Sequence, residues 1–458
     1  SDGGAVANLV KWHKTFPNQK DAVVASLKAG INQFLDIYKD EVHAALKEGT
    51  LTQADIDYAV RRKMRIAIKL GLLDPPELVP WSKIHDGVEP WDTDASRDIS
   101  KQIALESVVL LKNDKSTLPL QKGKLKSVAI IGPLADSIHW DWYGGIPPYA
   151  VTPLAGIKAA LGPNVVVTYA PDNTDGKAVV AAKAADVAIV VVGNDPTCGP
   201  NMATDWNDAG TNPCADPGDG REGRDRETLA LAQEDLVKAV YAANPKTVMV
   251  LISSFPYTIN WSQDHVPAIL HMTHSSQDEG MALAQVIFGD YNPGGHLVTT
   301  WPASMDQLPP MMDYNIRHGR TYMYAKAKPL YPFGFGLSYT TFGYANLKTS
   351  APQIAKDGVI TVSVDVSNTG KVAGDTVVQL YIGYPKSKVE RPMKELEGFK
   401  RVHLVAGETQ TVQIPLKASQ LAYWNVDAKA FTVESAPVSL MVGESSADIK
   451  LTQALLVQ

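Results

Sequence analysis

Two glycine-rich stretches carry the acidic side chains of this chain that are best placed to do chemistry. One is Ser1-Asp2-Gly3-Gly4-Ala5; the other is Pro217-Gly218-Asp219-Gly220-Arg221-Glu222-Gly223-Arg224-Asp225-Arg226. Carboxyl groups act as nucleophiles or as proton donors and acceptors when their surroundings hold one form or the other. Taken alone, the first stretch is also the composition of an ordinary flexible terminus, and the second that of a solvated charged loop. The second lies in a connection running from Gly193 to Arg226, over thirty residues long. That is far beyond a usual connection inside a compact domain and points to a functional loop or a disordered insert. Cys198 and Cys214, the only two cysteines, fall in the same stretch. They either staple the loop in an oxidising compartment or stay as free thiols in a reducing one. His271 and His274, at the end of an apolar run, read as satisfied core histidines. No metal-ligand constellation is present, and no cofactor is expected.

The elements that must hold these groups change character along the chain. From Gln19 to Ala29, Val23, Val24 and Leu27 mark a helix stopped by Gly30, and Ile31 to Leu35 reads as a short strand. Thr52 with Asp55 three residues on starts a helix whose stripe, Ile56, Ala59, Val60, Lys63, Ala67 and Leu70, needs a core to lie on. Residues 72–93, with four prolines and two tryptophans, have neither helical nor strand period and read as a linker. Short apolar strands then alternate with helices: Ser127 to Ile131, Val165 to Tyr169, Asp186 to Val192, Thr247 to Ser253 and Ala268 to Met272, with Leu229 to Ala243 a helix. Continuous Val, Ile and Leu with intervening helices imply a mostly parallel sheet buried on both faces. Ligands should bind beyond the carboxyl ends of its strands, in the loops after Ile131, Val192 and Ser253. The last part alternates with period two, as in Ile360 to Val366 and Val377 to Ile382, with turns at Asn368-Thr369-Gly370 and Ala406-Gly407-Glu408. It reads as a β-sandwich.

Composition narrows the partners. The 458 residues suffice for two or three domains, 45% of them hydrophobic and 20% charged, with no apolar run long enough to cross a membrane. A net charge of −6 without a basic block argues against nucleic acid and for a neutral substrate.

Several segments in order resemble one family. They are Ser1 to Ala5, Ala104-Leu105-Glu106-Ser107-Val108-Val109-Leu110-Leu111-Lys112-Asn113, Phe288-Gly289-Asp290-Tyr291-Asn292-Pro293-Gly294-Gly295, and Pro329 to Thr340 with its Pro332-Phe333-Gly334-Phe335-Gly336-Leu337-Ser338-Tyr339 core. Each is similar to a segment of the three-domain β-glucosidase and β-xylosidase branch of glycoside hydrolase family 3. The tail, through Asn368-Thr369-Gly370, Val377 to Tyr381 and Arg391 to Phe399, resembles that branch's fibronectin type III-like domain. The resemblance implies the C-terminal end of a (β/α)8 catalytic barrel over 1–74, a linker over 75–95, an α/β sandwich domain over 96–325, a linker over 326–344 and a fibronectin type III-like β-sandwich over 345–458.

It also implies chemistry. Retaining glycosidases set two carboxyl groups about 5 to 5.5 Å apart, one attacking the anomeric carbon and one serving as acid and then base. By motif Asp2 matches the nucleophile, and Glu222 the acid/base, with Asp219 as the fallback. Trp140, Trp142, Tyr143 and Trp206 match the need for aromatic planes against a sugar ring, with interface packing as the alternative, and Arg221 is a further substrate-binding candidate. The implied substrate is an oligosaccharide or aryl β-glycoside ending in β-linked glucose or xylose. Gly3 stands where family β-glucosidases often have tryptophan, which leaves glucoside against xyloside open. If Asp2 is the nucleophile, the chain starts in mid-domain, and the remainder of the barrel lies on a second chain or is lost. A non-hydrolytic carbohydrate-binding or structural fragment is the other reading. A secreted or periplasmic location is expected.

Overall fold

The computed structural model describes residues 1–84, 89, 91–139, 147–198, 214, 218, 220, 221 and 224–458. Two compact units divide the chain between Trp91 and Asp92.

Among the described residues the first unit holds four α-helices, α1 (Ala5–Lys11), α2 (Gln19–Lys28), α3 (Lys39–Glu48) and α4 (Gln53–Lys69), around Val6, Ala22, Val23, Leu27, Ala45, Leu51 and Ala59. Thr52 and Asp55 form a reciprocal capping box at the start of α4, each side chain taking the other's backbone N–H. The expected strand over Ile31 to Leu35 is irregular. A strand exists only through a neighbour's hydrogen bonds, and no strand is described in this unit to pair with it. The stripe of α4 is likewise only partly covered: Ala59 is buried, whereas Val60 is 52% and Leu70 48% exposed.

In the second unit, a six-stranded sheet comprises β1 (Val109–Asn113), β2 (Ser127–Ile131), β3 (Val166–Ala170), β4 (Val187–Gly193), β5 (Thr247–Ile252) and β6 (Ala268–Met272), in the order β1-β6-β5-β4-β2-β3. Strands β2 to β6 run parallel and β1 closes one edge antiparallel to β6. The helices are α5 (Asp94–Ser107), α6 (Pro153–Leu161), α7 (Lys177–Ala184), α8 (Glu234–Ala243), α9 (Asn260–His265) and α10 (Glu279–Phe288). All seven residues of β4, all six of β5 and all five of β6 are buried. One apolar cluster lies on each face, the first using Ile130, Ile189 and Val250, the second Ile131, Val190 and Leu251. Alternation of side chains across a doubly covered sheet requires this split. The helix expected from Leu229 begins only at Glu234. Before it, the Leu229 carbonyl accepts from Thr258 N, which ties that stretch to the loop after β5.

Segment 326–344 is packed rather than loose. Trp301 and Tyr331 are bridged through their backbones, as are Leu110 and Leu337, and a short helix α11 (Thr321–Tyr324) precedes the segment. The sandwich pairs β11 (Glu395–Leu404), β10 (Gly374–Gly383), β15 (Pro437–Gly443), β16 (Ile449–Val457) and β8 (Gln353–Ile354) in one sheet. The other holds β12 (Thr409–Lys417), β9 (Val359–Asn368) and β7 (Phe342–Thr349), and β13 (Tyr423–Asn425) with β14 (Ala430–Thr432) forms a hairpin. The buried Gln379 amide joins sandwich to segment, donating to Gly334 O and Glu444 O. No helix among the described residues is long and apolar enough to cross a membrane.

Gly193 ends β4 at φ 149°, where a Cβ would sit 1.7 Å from the Ile252 carbonyl oxygen. Gly193→Ala should therefore destabilise the second unit by more than about 4 kcal/mol, read by urea unfolding; a loss under about 1 kcal/mol would show that the strand ends can separate.

Candidate active site

At the carboxyl ends of β4, β5 and β6 the second unit opens into a cavity of about 920 Å³. Thr197 follows β4, Ser254 and Phe255 follow β5, and Thr273 and His274 follow β6; Leu229, Met305, Leu308 and Met311 add apolar wall. Parallel sheets place ligands here because loops from adjacent strands leave a crevice at that edge. Arg221, Arg224, Asp225 and Arg226 line the same cavity.

The arginines are held differently. Arg221 and Arg224 exchange both backbone hydrogen bonds, at 3.1 and 3.0 Å. The Arg226 guanidinium lies 3.7 Å from the centre of the Phe255 ring and donates to Pro256 O at 2.9 Å. Cation–π contact and a carbonyl together fix its charge against the wall of the cavity. Cys198 and Cys214 are joined in a disulfide.

A cluster of polar side chains lies at the same edge. His139 Nδ1 is 3.2 Å from Asp195 Oδ2, whose other oxygen takes Thr197 N at 3.0 Å. The His139 ring meets that of His274 edge-on at 6.1 Å between centroids. His274 Nε2 faces Asn194 Oδ1 at 3.4 Å, and the same Oδ1 accepts from Ser254 N at 2.9 Å. Burial pushes His274 down to about 4 and lowers His139, against the opposing pull of Asp195, so both rings are neutral at pH 7.

In the first unit, Asp2 is exposed and its Oδ1 accepts from Gly3 N at 2.8 Å. Gly4, at φ 70°, makes the turn into α1 and donates its N–H to Asp36 Oδ2 at 2.8 Å. The Ser1 ammonium donates to Gln33 O. Asp2 and the cavity thus belong to separate units. Of the other sequence candidates, Arg221 lines the cavity, whereas Glu222, Asp219, Trp140, Trp142, Tyr143 and Trp206 lie outside the described residues. His271 is a core histidine, its Nδ1 on Leu251 O and its ring edge-on to Trp301. His274 is not: it stands past the end of β6 and lines the cavity. Reading along the sequence missed His139, Asn194 and Asp195; the signal available was two polar residues directly after the glycine that ends a buried strand. Among the described residues, no group of three His, Cys, Asp or Glu is gathered to hold a metal.

Residues 108–339 match the glycosyl hydrolase family 3 C-terminal domain, and residues 376–446 a fibronectin type III-like domain. The chain belongs to glycosyl hydrolase family 3. This family 3 chain is 35% identical to a β-xylosidase of Formosa agariphila across its full length, covering 64% of that protein. It is 33% identical to a periplasmic β-glucosidase of Salmonella typhimurium, over 98% of the chain and 62% of that protein. It thus spans less than two thirds of the length of either relative. Among solved structures, a β-glucosidase of Erythrobacter marinus matches 99% of this family 3 chain and 62% of its own, with a TM-score of 0.78 and 28% identity.

Glu279, 1% exposed in the first turn of α10, is pushed up to about 8 by burial, with the Ser275 N–H at 3.4 Å opposing only weakly. The fold therefore keeps the acid protonated where the unfolded chain ionises. This contribution to stability is complete below pH 4.5, the ordinary value, and is lost as the pH climbs to about 8. Glu279→Gln should flatten that decline, by a few kcal/mol across the window, in unfolding curves taken at a series of pH values; parallel curves for the two proteins would refute it.

Proposed function

We propose that this chain is the C-terminal part of a retaining exo-β-glycosidase that releases a terminal β-linked glucose or xylose. The observation that carries the reading is the arginine-bracketed cavity at the carboxyl edge of β4, β5 and β6, in a chain related over its whole length to β-xylosidases and β-glucosidases. The Asp2 carboxylate attacks the anomeric carbon as the bond to the leaving oxygen breaks, and Glu222 gives that oxygen its proton. Water then attacks the glycosyl ester while Glu222 takes a proton from it, Asp2 leaves, and the configuration is retained. Asp219 is the fallback for Glu222. The Arg221–Arg224 backbone bridge supports the first choice, since Glu222 lies between its two ends in sequence. Trp140, Trp142, Tyr143 and Trp206 are proposed to supply the planes against the sugar.

Residues 1–74 are read as the end of a barrel whose remainder lies on polypeptide outside these 458 residues, in the same protein or on a second chain. The greater length of the relatives supports this, and so does apolar surface on the first unit, where Ile66 and Ile68 are each 58% exposed and Leu72 69%. A disulfide and the periplasmic β-glucosidase relative support an extracytoplasmic location. The specificity is left at glucose or xylose because the relatives include both a β-xylosidase and a β-glucosidase.

One observation favours a non-hydrolytic role for this chain by itself. The Asp2 carboxylate is exposed and accepts only from its neighbour Gly3 among the described residues, so the first unit does not preorganise it.

Combined with the remaining barrel polypeptide, the chain should hydrolyse a nitrophenyl β-glucoside or β-xyloside, and Asp2→Asn should lower kcat by more than about 1000-fold. Azide should rescue Glu222→Ala as a glycosyl azide and leave Asp219→Ala unrescued. Activity surviving Asp2→Asn removes the nucleophile assignment, and rescue of Asp219→Ala alone moves the acid/base to that residue.

A further inference from the structure

A second cavity, of about 480 Å³, lies in the seam between the α/β domain and the sandwich, beside β1, the edge strand of the six-stranded sheet. The α/β domain contributes His296 to its wall, the connecting segment Leu337 and Ser338, and the sandwich Asp375, Glu444 and Lys450. Among the described residues it shares no lining residue with the cavity at the ends of β4, β5 and β6.

His296 has an atom left to bind with. Its Nδ1 lies 3.1 Å from the Gly294 carbonyl oxygen, which can only accept, so the ring carries its proton on Nδ1. Burial pushes the ring down to about 4, and the nearby Arg401 charge acts in the same direction, so it is neutral at pH 7 and Nε2 holds a lone pair. No group among the described residues donates to that lone pair. The side chain nevertheless keeps accessible surface, and the cavity it lines is where that surface opens.

The charges on the wall are already answered from within the protein. Asp375 is paired with Arg401, which also meets Glu106 at 2.9 Å, and lies 2.6 Å from His403 Nδ1. Lys450 is 3.4 Å from Glu444 and 2.8 Å from Asp448. An anionic ligand would meet two carboxylates, and a cationic one would compete with Lys450 and Arg401. A neutral ligand breaks no pair, but it has to bring a donor for Nε2. The hydroxyls point the same way. Ser338 Oγ donates to Asn292 Oδ1 at 2.9 Å and accepts from Thr340 N at 3.3 Å, and Thr376 Oγ1 lies 3.4 Å from the Tyr344 hydroxyl, so each keeps a lone pair open. Alcohol groups supply such donors without charge, and Leu118, Leu337 and Phe342 offer carbon surface to the C–H groups between them.

We propose that this seam is a second binding site, separate from the candidate active site, and that it takes a small neutral polyhydroxy molecule, one of whose hydroxyls donates to His296 Nε2. The inference does not rest on the proposed function. Because the walls come from both sides of the seam, an occupant holds the sandwich against the α/β domain.

The test is a titration of the full 458-residue chain, labelled with 15N-histidine, with xylitol, myo-inositol, xylose, glucose, inorganic phosphate and methylammonium in turn. The His296 Nε2 resonance should move in a saturable way with at least one of the four neutral compounds and with neither ion. Movement with the two sugars alone supports a pyranose occupant, and movement with xylitol or inositol supports a free polyol. In chains labelled with 15N-glycine, the same binding is read at the amide of Gly336, which lines this cavity. His296→Asn, whose amide still reaches Gly294 O but has no counterpart of Nε2, should weaken that binding about tenfold or more. His296→Gln, whose amide oxygen falls near the Nε2 position, should retain most of it. If these variants fail to fold, the His296 resonance in the unaltered protein decides. A His296 resonance unmoved by all four neutral compounds, or moved by phosphate or methylammonium in their place, overturns the proposal, as does unchanged affinity in a folded His296→Asn chain.

Discussion

The central sheet of the second unit is covered on both faces so completely that polar side chains have one place left to gather. Strands β4, β5 and β6 are buried from end to end, with a separate apolar cluster above and below. A charged or hydrogen-bonding side chain within these strands would have to be satisfied inside an apolar layer, at a cost of several kcal/mol when it is not. Among these three strands, His271 and Thr247 are the buried polar exceptions, and each has a backbone carbonyl for its side chain. Chemistry is consequently pushed to the carboxyl edge, where the chain leaves the sheet and the loops can carry Asn194, Asp195, Ser254 and His274 side by side.

That constraint also explains what was legible in the sequence. Continuous runs such as Val187 to Val192, short and rich in β-branched residues, suit a doubly covered parallel strand, whose two faces both meet apolar layers. The Thr52 and Asp55 pair announces a helix start through local chemistry alone. The sandwich strands read just as directly from their alternation, as in β9, where buried and half-buried residues alternate from Ile360 to Asn368. The irregular course of Ile31 to Leu35 was not legible, since pairing depends on a neighbour and not on the run itself. Neither was strand β1, whose Leu110 and Leu111 continue from a helix with no glycine or proline to mark the change.

The candidate site was legible in kind but not in membership. A long loop rich in glycine, arginine and acid is visible in any sequence reading, and the cavity does adjoin it. The polar cluster beside the loop is assembled from position 139, the adjacent pair 194 and 195, and position 274, three places far apart in the chain with no mutual spacing. His274 is separated from the true core histidine, His271, by only two residues. What distinguishes them is the strand end between them: His271 points back to Leu251 O within the sheet, and His274 stands beyond it. Sequence proximity placed them together, whereas the geometry of the edge separates them.

The arginines of the loop bear on how an acid could work there. A proton donor in glycoside cleavage needs its acid form stabilised, and a guanidinium pointing at it would act in the opposite direction. Arg226 places its charge over the Phe255 ring and donates to the Pro256 carbonyl. Its methylenes instead pack closely on Gly220, where a Cβ would meet Arg226 Cγ at 2.7 Å, so the residue serves as a strut for the loop as well as a charge. Arg224 is exposed, and solvent screens it more than it would a buried cation. Arg221 is half-buried on the cavity wall, which makes it the arginine whose direction matters most to any acid placed between it and Arg224. The apolar wall of Leu229, Met305, Leu308 and Met311 works against ionisation by desolvating whatever acid faces it, the same effect that raises Glu279 deeper in the unit.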